Sequence, residues 1–310
     1  MKSVSERLTG LIAAVPTPTA ASGEVALDVI EPLARQLIED GVSGVFVGGT
    51  SGECHSFSCQ ERMDVAARWA EVARGTELKV VIHVGANALP EAEAMARHAE
   101  QTGVDAIASM SPFFFKPQRV EALLSVLQAI GAAAANTPLY YYDIPSMTGV
   151  HLPMVELLEQ GRQQIPTLRG LKYTNSDFLQ LQRCLQVEDG YYDILFGHDA
   201  VLAGGWTYGI RGAIGTTYNF MAPLYHQLLA AVDRQDEDAV HSLQHASCDI
   251  IADLFDVGFL PAVRSVMKSI GIDVGPPRLP LLPLSAAEEQ QLAEMLERRN
   301  FQQWREQVAP

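Results

Sequence analysis

Eight times between residues 10 and 233 this chain repeats one pattern: a short run rich in β-branched, aromatic or alanine residues, then a longer segment of helical period. Strands are expected over 10–15, 45–47, 80–84, 106–110, 139–142, 170–173, 193–196 and 212–215. Helices are expected near 27–40, 60–74, from Pro90, 119–134, from Pro153, 177–186, 199–208 and 223–233. In the first of these, Ile30, Leu33, Ala34, Leu37 and Ile38 form an apolar stripe that Gly41 ends. Strands separated by helices must run parallel through right-handed crossovers. Eight such units in roughly 230 residues predict a closed (β/α)8 TIM barrel. The alternative is an open doubly wound sheet, but the turn after the first strand lacks the G-x-G-x-x-G fingerprint. Beyond residue 235 the strands stop. Helices are expected near 236–256, 260–270 and 285–298, broken by Gly-Pro-Pro-Arg-Leu-Pro at 275–280. The organisation expected is a barrel carrying the active site, 1–234, with a C-terminal helical extension packed on it, 235–310.

A barrel of this type presents its chemistry at the C-terminal ends of its strands. Lys172, in Gly170-Leu171-Lys172-Tyr173, falls there, whereas the other lysines (2, 79, 116 and 268) lie near the terminus or beside proline and charged or helical sequence. A buried ammonium is costly unless it is paired or loses its proton. Once deprotonated, lysine attacks carbonyl carbon and forms a Schiff base. The plainer alternative is a strand-end lysine reaching solvent. Strand alternation places Tyr140 and Tyr142 on one side and Tyr141 on the other. A phenol at Tyr142 facing Lys172 can relay protons, although an aromatic core layer is the simpler reading of any one tyrosine. After strand 2, Gly48-Gly49-Thr50-Ser51-Gly52-Glu53 offers backbone N–H groups and two hydroxyls to a carboxylate or phosphate. It has no GK[ST], so nucleotide binding is unsupported. Thr174 follows strand 6, Gly197-His198-Asp199 ends strand 7, and Gly215-Thr216-Thr217-Tyr218-Asn219 ends strand 8. Asp199 can either cap a helix or accept substrate hydroxyls. His55, His83 and His198 are isolated from one another, so no metal site is expected.

A net charge of −15 over 310 residues leaves no general basic face for nucleic acid. A small anionic substrate remains compatible with a locally positive site. Cys54, Cys59, Cys184 and Cys248 form no CxxC pair and read as reduced thiols, with Cys54 placed to line the site. The apolar run 11–15 is too short for a signal peptide, and no stretch has membrane-spanning length. A cytoplasmic location is expected.

Four motifs in this order carry a resemblance covering about residues 8–280. They are Gly-Gly-Thr-Ser-Gly-Glu (48–53), Tyr-Asp-Ile-Pro with Thr-Gly (142–149), Gly-Leu-Lys (170–172) and Gly-Ala-Ile-Gly-Thr-Thr-Tyr-Asn (212–219). The chain resembles the pyruvate-dependent class I aldolases that include N-acetylneuraminate lyase and dihydrodipicolinate synthase. The resemblance implies that Lys172 forms a Schiff base with a 2-oxo carbon and that Tyr142 donates and accepts protons. It implies that Thr50 and Ser51 hold the substrate carboxylate, while Thr174, Gly197, Asp199, Gly215 and Thr216 bind the rest of the molecule. It also implies a homotetramer whose covalent chemistry uses no metal or organic cofactor. Met147 stands where the synthase branch carries an arginine, and Phe114 where it carries a tyrosine. Together with Ser-Pro-Phe-Phe-Phe-Lys-Pro (111–117) and Gly-Pro-Pro-Arg-Leu-Pro-Leu (275–281), these look like the lyase branch. Lyases of this branch follow Gly-x-Asp with a glutamate that touches the sugar tail, and here that residue is Ala200. The leading expectation is reversible cleavage of N-acetylneuraminate, or a close 2-oxo sugar acid, to pyruvate and an aldehyde sugar such as N-acetylmannosamine. The alternatives are a 2-keto-3-deoxy sugar acid aldolase or dehydratase, a dihydrodipicolinate synthase-like enzyme, and a non-catalytic 2-oxo acid binding protein.

Overall fold

A computed structural model describes residues 7–306. The expected alternation is realised as eight parallel strands: β1 (Gly10–Ala14), β2 (Gly44–Val47), β3 (Lys79–His83), β4 (Ala106–Ser109), β5 (Leu139–Asp143), β6 (Leu168–Tyr173), β7 (Asp193–Phe196) and β8 (Gly212–Gly215). They pair in sequence order and close where Leu11 meets Ala213 and Ile12 meets Ile214. The (β/α)8 barrel expected from the repeat is therefore the fold. The outer layer comprises α1 (Ile30–Glu39), α2 (Cys59–Ala73), α3 (Leu89–Thr102), α4 (Val120–Ala133), α5 (Pro145–Thr148), α6 (Met154–Gln164), α7 (Phe178–Cys184), α8 (Leu202–Thr207) and α9 (Tyr218–Asp233).

Local chemistry sets several of these boundaries. Ser58 and Glu61 form a reciprocal capping box that opens α2. Gly103, at φ +78°, ends α3 in the left-handed conformation that an L side chain resists. Three expectations shift. The apolar stripe of α1 buries Ile30, Leu33, Ala34 and Leu37 but leaves Ile38 exposed, at the edge of a 100° progression. The last barrel helix starts at Tyr218 rather than near 223, carrying Pro223 inside it. The four-residue α5, opened by Pro145, was not anticipated from the sequence.

Two apolar layers separate at the sheet. Inside the barrel lie Ile12, Phe46, Val81, Ala108, Tyr140, Tyr142, Leu195 and Ile214. Between sheet and helices lies the larger core, with Tyr141, Leu171, Tyr173 and Phe196 on the outward side of the same strands. Each large side chain sequestered there contributes about 1.5–3 kcal/mol.

The extension consists of α10 (Glu237–Asp256), α11 (Phe259–Ser269), α12 (Ala286–Arg298) and α13 (Phe301–Glu306). Helix α10 packs on α9, and α13 returns to α9, where Arg305 donates to the Phe220 carbonyl at 3.1 Å. Among the described residues no helix is long and apolar enough to cross a membrane.

The N-terminal end of the barrel is closed by a polar plug. Asp193, at the start of β7, accepts the Tyr140 hydroxyl at 2.9 Å and the Leu8 N–H at 2.9 Å. Burial pushes its carboxyl above the ordinary range, so it depends on those donors. Tyr140→Phe leaves this carboxyl with the Leu8 donor alone. The variant is expected to lose about 1–3 kcal/mol in urea unfolding, and wild-type stability would show that the plug is not held by this bond.

Candidate active site

Lys172 and Tyr142 meet through strand register. β5 and β6 pair Tyr142 with Lys172 and Tyr140 with Gly170. Because Leu171 and Tyr173 face the outer core, Lys172 must point into the barrel, where it is 4% exposed. Its Nζ lies 3.9 Å from the Phe46 ring centre and 4.0 Å from that of Tyr142. The ring faces stabilise a cation in part. Burial dominates, however, and brings the ammonium from its ordinary 10.5 down to about 7, against the weaker opposing pull of the Asp199 carboxylate. The plain alternative of a lysine reaching solvent does not hold.

The phenol of Tyr142 is also buried, which drives its pKa well above the ordinary range and keeps it protonated. Its hydroxyl is 3.2 Å from Thr50 Oγ1. On the same turn after β2, Ser51 Oγ is 2.6 Å from Thr216 Oγ1 beyond β8. Thr50 and Ser51 therefore join the ends of three strands at one rim. Thr174 Oγ1 lies close enough to lower the Tyr142 phenol's pKa, yet it is buried without a partner at hydrogen-bonding geometry. A buried hydroxyl in that state is available to a bound molecule. Gly197 makes room for it, since a Cβ there would come within 2.0 Å of Thr174 Oγ1.

Asp199 differs from one of its two expected roles. It is the first residue of a short 3-10 turn, Asp199–Val201, whose N-cap position is held by His198. Instead Oδ2 accepts the N–H and Oγ1–H of Thr217, at 2.9 and 2.7 Å. The end of β7 is thereby tied to the end of β8. A Cβ at Gly215 would come within 2.8 Å of the same carboxylate oxygen. Sequence reasoning missed this support. Thr217 also meets the Tyr225 hydroxyl at 2.7 Å, and Gln244 on α10 donates to the Asp199 carbonyl at 3.3 Å. The adjacency of Thr217 to Thr216 was a usable signal, whereas nothing local pointed to Gln244.

Cys54 is buried in the inner cluster with Phe46 and Tyr142, and burial raises its thiol pKa, leaving it a thiol. His55 stands on the exposed rim, edge-on to Phe113 at 4.7 Å. His83 is fully buried and bridges the turn: Nδ1 donates to the Gly48 carbonyl at 2.8 Å, while Nε2 accepts the Met110 N–H at 3.3 Å. Those partners assign a neutral imidazole, in keeping with a pKa driven well down by burial. Phe114 and Met147 are exposed, and Ala200 offers only a methyl group beside Asp199. Among the described residues no group of three or more His, Cys, Asp or Glu is placed to hold a metal ion.

The lysine also gives a stability signature. Its folded pKa of about 7 lies below the ordinary 10.5. Between those values the unfolded chain binds more protons, so stability rises with pH from about 7 toward 10.5 and is lowest below 7. Lys172→Met removes that cost, amounting to a few kcal/mol at neutral pH. Its melting temperature at pH 7 should exceed that of the wild type by several degrees, with the gap narrowing toward pH 10. Equal melting temperatures at pH 7 would mean that the ammonium carries no penalty.

The chain is similar in sequence and fold to proteins of known activity. The mouse N-acetylneuraminate lyase (Mus musculus) is 40% identical over 280 residues, covering 89% of this chain and 88% of its own length. The zebrafish (Danio rerio) N-acetylneuraminate lyase is 36% identical over 304 residues, covering 96% and 98%. The solved structure of Proteus mirabilis N-acetylneuraminate lyase superposes with a TM-score of 0.93 at 38% identity, covering 96% of this chain and all of that one. The model of the dihydrodipicolinate synthetase family matches residues 7–299, and the chain belongs to that family.

Proposed function

We propose that this protein is a class I, Schiff-base carbon–carbon lyase that reversibly cleaves N-acetylneuraminate to pyruvate and N-acetylmannosamine. The observation that carries the reading is the pairing of Lys172 with Tyr142: an amine brought to about pH 7 by burial, beside a protonated phenol in the barrel mouth. The names of the relatives support the substrate.

In this scheme Thr50 and Ser51 hold the carboxylate of the open-chain 2-oxo acid. The free amine of Lys172 attacks C2, and the C2 oxygen leaves as water after proton transfer from Tyr142. The resulting iminium is a fixed positive charge next to the phenol and lowers its pKa, which converts Tyr142 from donor to acceptor. Tyr142 then takes the C4 hydroxyl proton as the C3–C4 bond breaks. The bonding electrons move into the iminium and form an enamine. Protonation at C3 and hydrolysis release pyruvate and free Lys172. Thr50, at 3.2 Å from the phenol, is placed to pass protons along. Thr174, Gly197, Asp199, Gly215 and Thr216 line the space for the hydroxylated tail. No metal or organic cofactor enters the scheme.

We assign the enzyme to the cytoplasm as a homotetramer. The exposed, mutually packed Phe114 and Phe115, with rings 5.0 Å apart, support self-association. The barrel, 1–234, carries the site and the extension, 235–310, braces it. Ala200 favours a second reading. A methyl group cannot accept tail hydroxyls, and unpaired hydroxyls discriminate strongly between substrates. On that reading the substrate is a related 2-oxo sugar acid with a different tail.

Pyruvate release from N-acetylneuraminate, followed through a coupled dehydrogenase, tests the first reading. The wild type should release pyruvate with kcat/KM rising as pH is raised through about 7, where Lys172 loses its proton. Lys172→Ala should lose at least about a thousandfold in rate. Release from 2-keto-3-deoxy sugar acids alone would select the second reading. Failure of borohydride to trap pyruvate on Lys172 would sink both.

A further inference from the structure

The turn that carries Thr50 and Ser51 ends in Glu53, a buried residue held at φ +51°. A non-glycine residue in that conformation is strained and persists only when its surroundings determine it. What determines it lies 211 positions away in the chain. Arg264, on α11 of the extension, places Nε at 2.9 Å and Nη2 at 2.5 Å from Glu53 Oε1. The pair is almost wholly sequestered, with the two side chains 4% and 2% exposed. Nη2 also donates to the Thr17 carbonyl at 2.9 Å, and Nη1 to those of Val274 and Gly275 at 2.8 and 3.2 Å. All five guanidinium N–H groups are thus used. The other carboxylate oxygen, Oε2, accepts the Arg278 N–H at 2.9 Å. The Arg278 side chain in turn ion-pairs with Glu61 on α2 and donates to the Ser56 carbonyl.

Stability alone gives little reason to bury this pair, because apolar side chains of similar volume do as well or better in many cores. Its location supplies the reason. Glu53 closes the turn on itself, with its N–H donating to the Thr50 carbonyl at 2.9 Å. The hydroxyls of Thr50 and Ser51 therefore stand where the Glu53 carboxylate is anchored. We propose that Arg264 is a positioning residue for the reaction: acting through Glu53, it sets the Thr50–Ser51 turn at the geometry that accepts the substrate carboxylate. The inference rests on the reading that this turn holds the carboxylate. It makes α11 of the helical extension a working part of the site.

Borohydride trapping on Lys172 with two probes tests this. Pyruvate carries the carboxylate that the turn holds, and hydroxyacetone presents a ketone without one. In Arg264→Lys and Glu53→Gln the half-saturating pyruvate concentration is expected to rise about tenfold to a hundredfold, with hydroxyacetone trapping unchanged. The double variant Glu53→Leu/Arg264→Met replaces the pair by apolar side chains. It is expected to keep a cooperative thermal transition while showing the same selective loss of pyruvate. A purely structural pair would weaken both probes by the same factor, or neither, and either result overturns the proposal. Wild-type protein that pyruvate leaves untrapped overturns the Schiff-base reading itself, and the inference falls with it. Trapping of wild type by both probes, followed by equal losses in the variants, overturns only the inference.

Discussion

A single amine buried in the mouth of the barrel, without an ion-pair partner among the described residues, is the constraint on which the rest of the site depends. Two ring faces lie about it, at 3.9 and 4.0 Å, and burial outweighs every attraction that would keep it charged. Such a position is stable only inside a framework that does not relax around it. The β5–β6 register supplies the framework on one side by fixing Tyr142 opposite Lys172. On the other side, the inward-facing Phe46 of β2 presents its ring face to the amine. The same burial that disfavours the ammonium also makes the amine a nucleophile near neutral pH, so a local instability and a reactive group share one cause.

Much of this was legible in the sequence, and the reason is period. Strand alternation predicts that Tyr140 and Tyr142 share a face, and the structure places both inside the barrel. Eight alternating segments allow few arrangements besides a closed barrel, so the strand ends were known in order before their positions. Lys172 could be singled out because a lysine in an apolar strand has few explanations. Interactions without a period were not legible. Asp199 was expected to cap its own helix or to bind hydroxyls, and its bond to Thr217 depends on how closely β7 and β8 approach at the rim. Glu53 read as the end of a glycine-rich motif, and no local pattern links it to an arginine 211 positions later. Likewise Gln244 lies in an ordinary amphipathic helix, and its role appears only when α10 is packed against the segment after β7.

The two inward tyrosines of β5 show how one strand divides its labour. Tyr140 turns its hydroxyl toward Asp193 at the N-terminal end, where it completes a plug closed by the chain entering β1. Tyr142, two residues later, turns its hydroxyl toward Thr50 at the opposite end. Both phenols are buried and both are held above their ordinary pKa. Their difference is therefore one of partner. Tyr140 faces a carboxylate that holds its proton in place. Tyr142 faces a neutral hydroxyl and a lysine whose charge changes during the proposed reaction, so its proton is free to move.

That contrast bears on why the C-terminal rim needs distant supports. The plug at the N-terminal end must only be satisfied, and two donors on one carboxylate do that. The C-terminal rim has to keep hydroxyls from three strand ends within hydrogen-bonding distance of one another. The rim is accordingly braced by residues beyond its own turns. His83 holds Gly48 from β3, Gln244 holds the Asp199 segment from α10, and Arg264 holds Glu53 from α11. Two of those three braces come from the helices that follow the eighth unit. The extension therefore supplies the rim with fixed points that come from outside the eight barrel units.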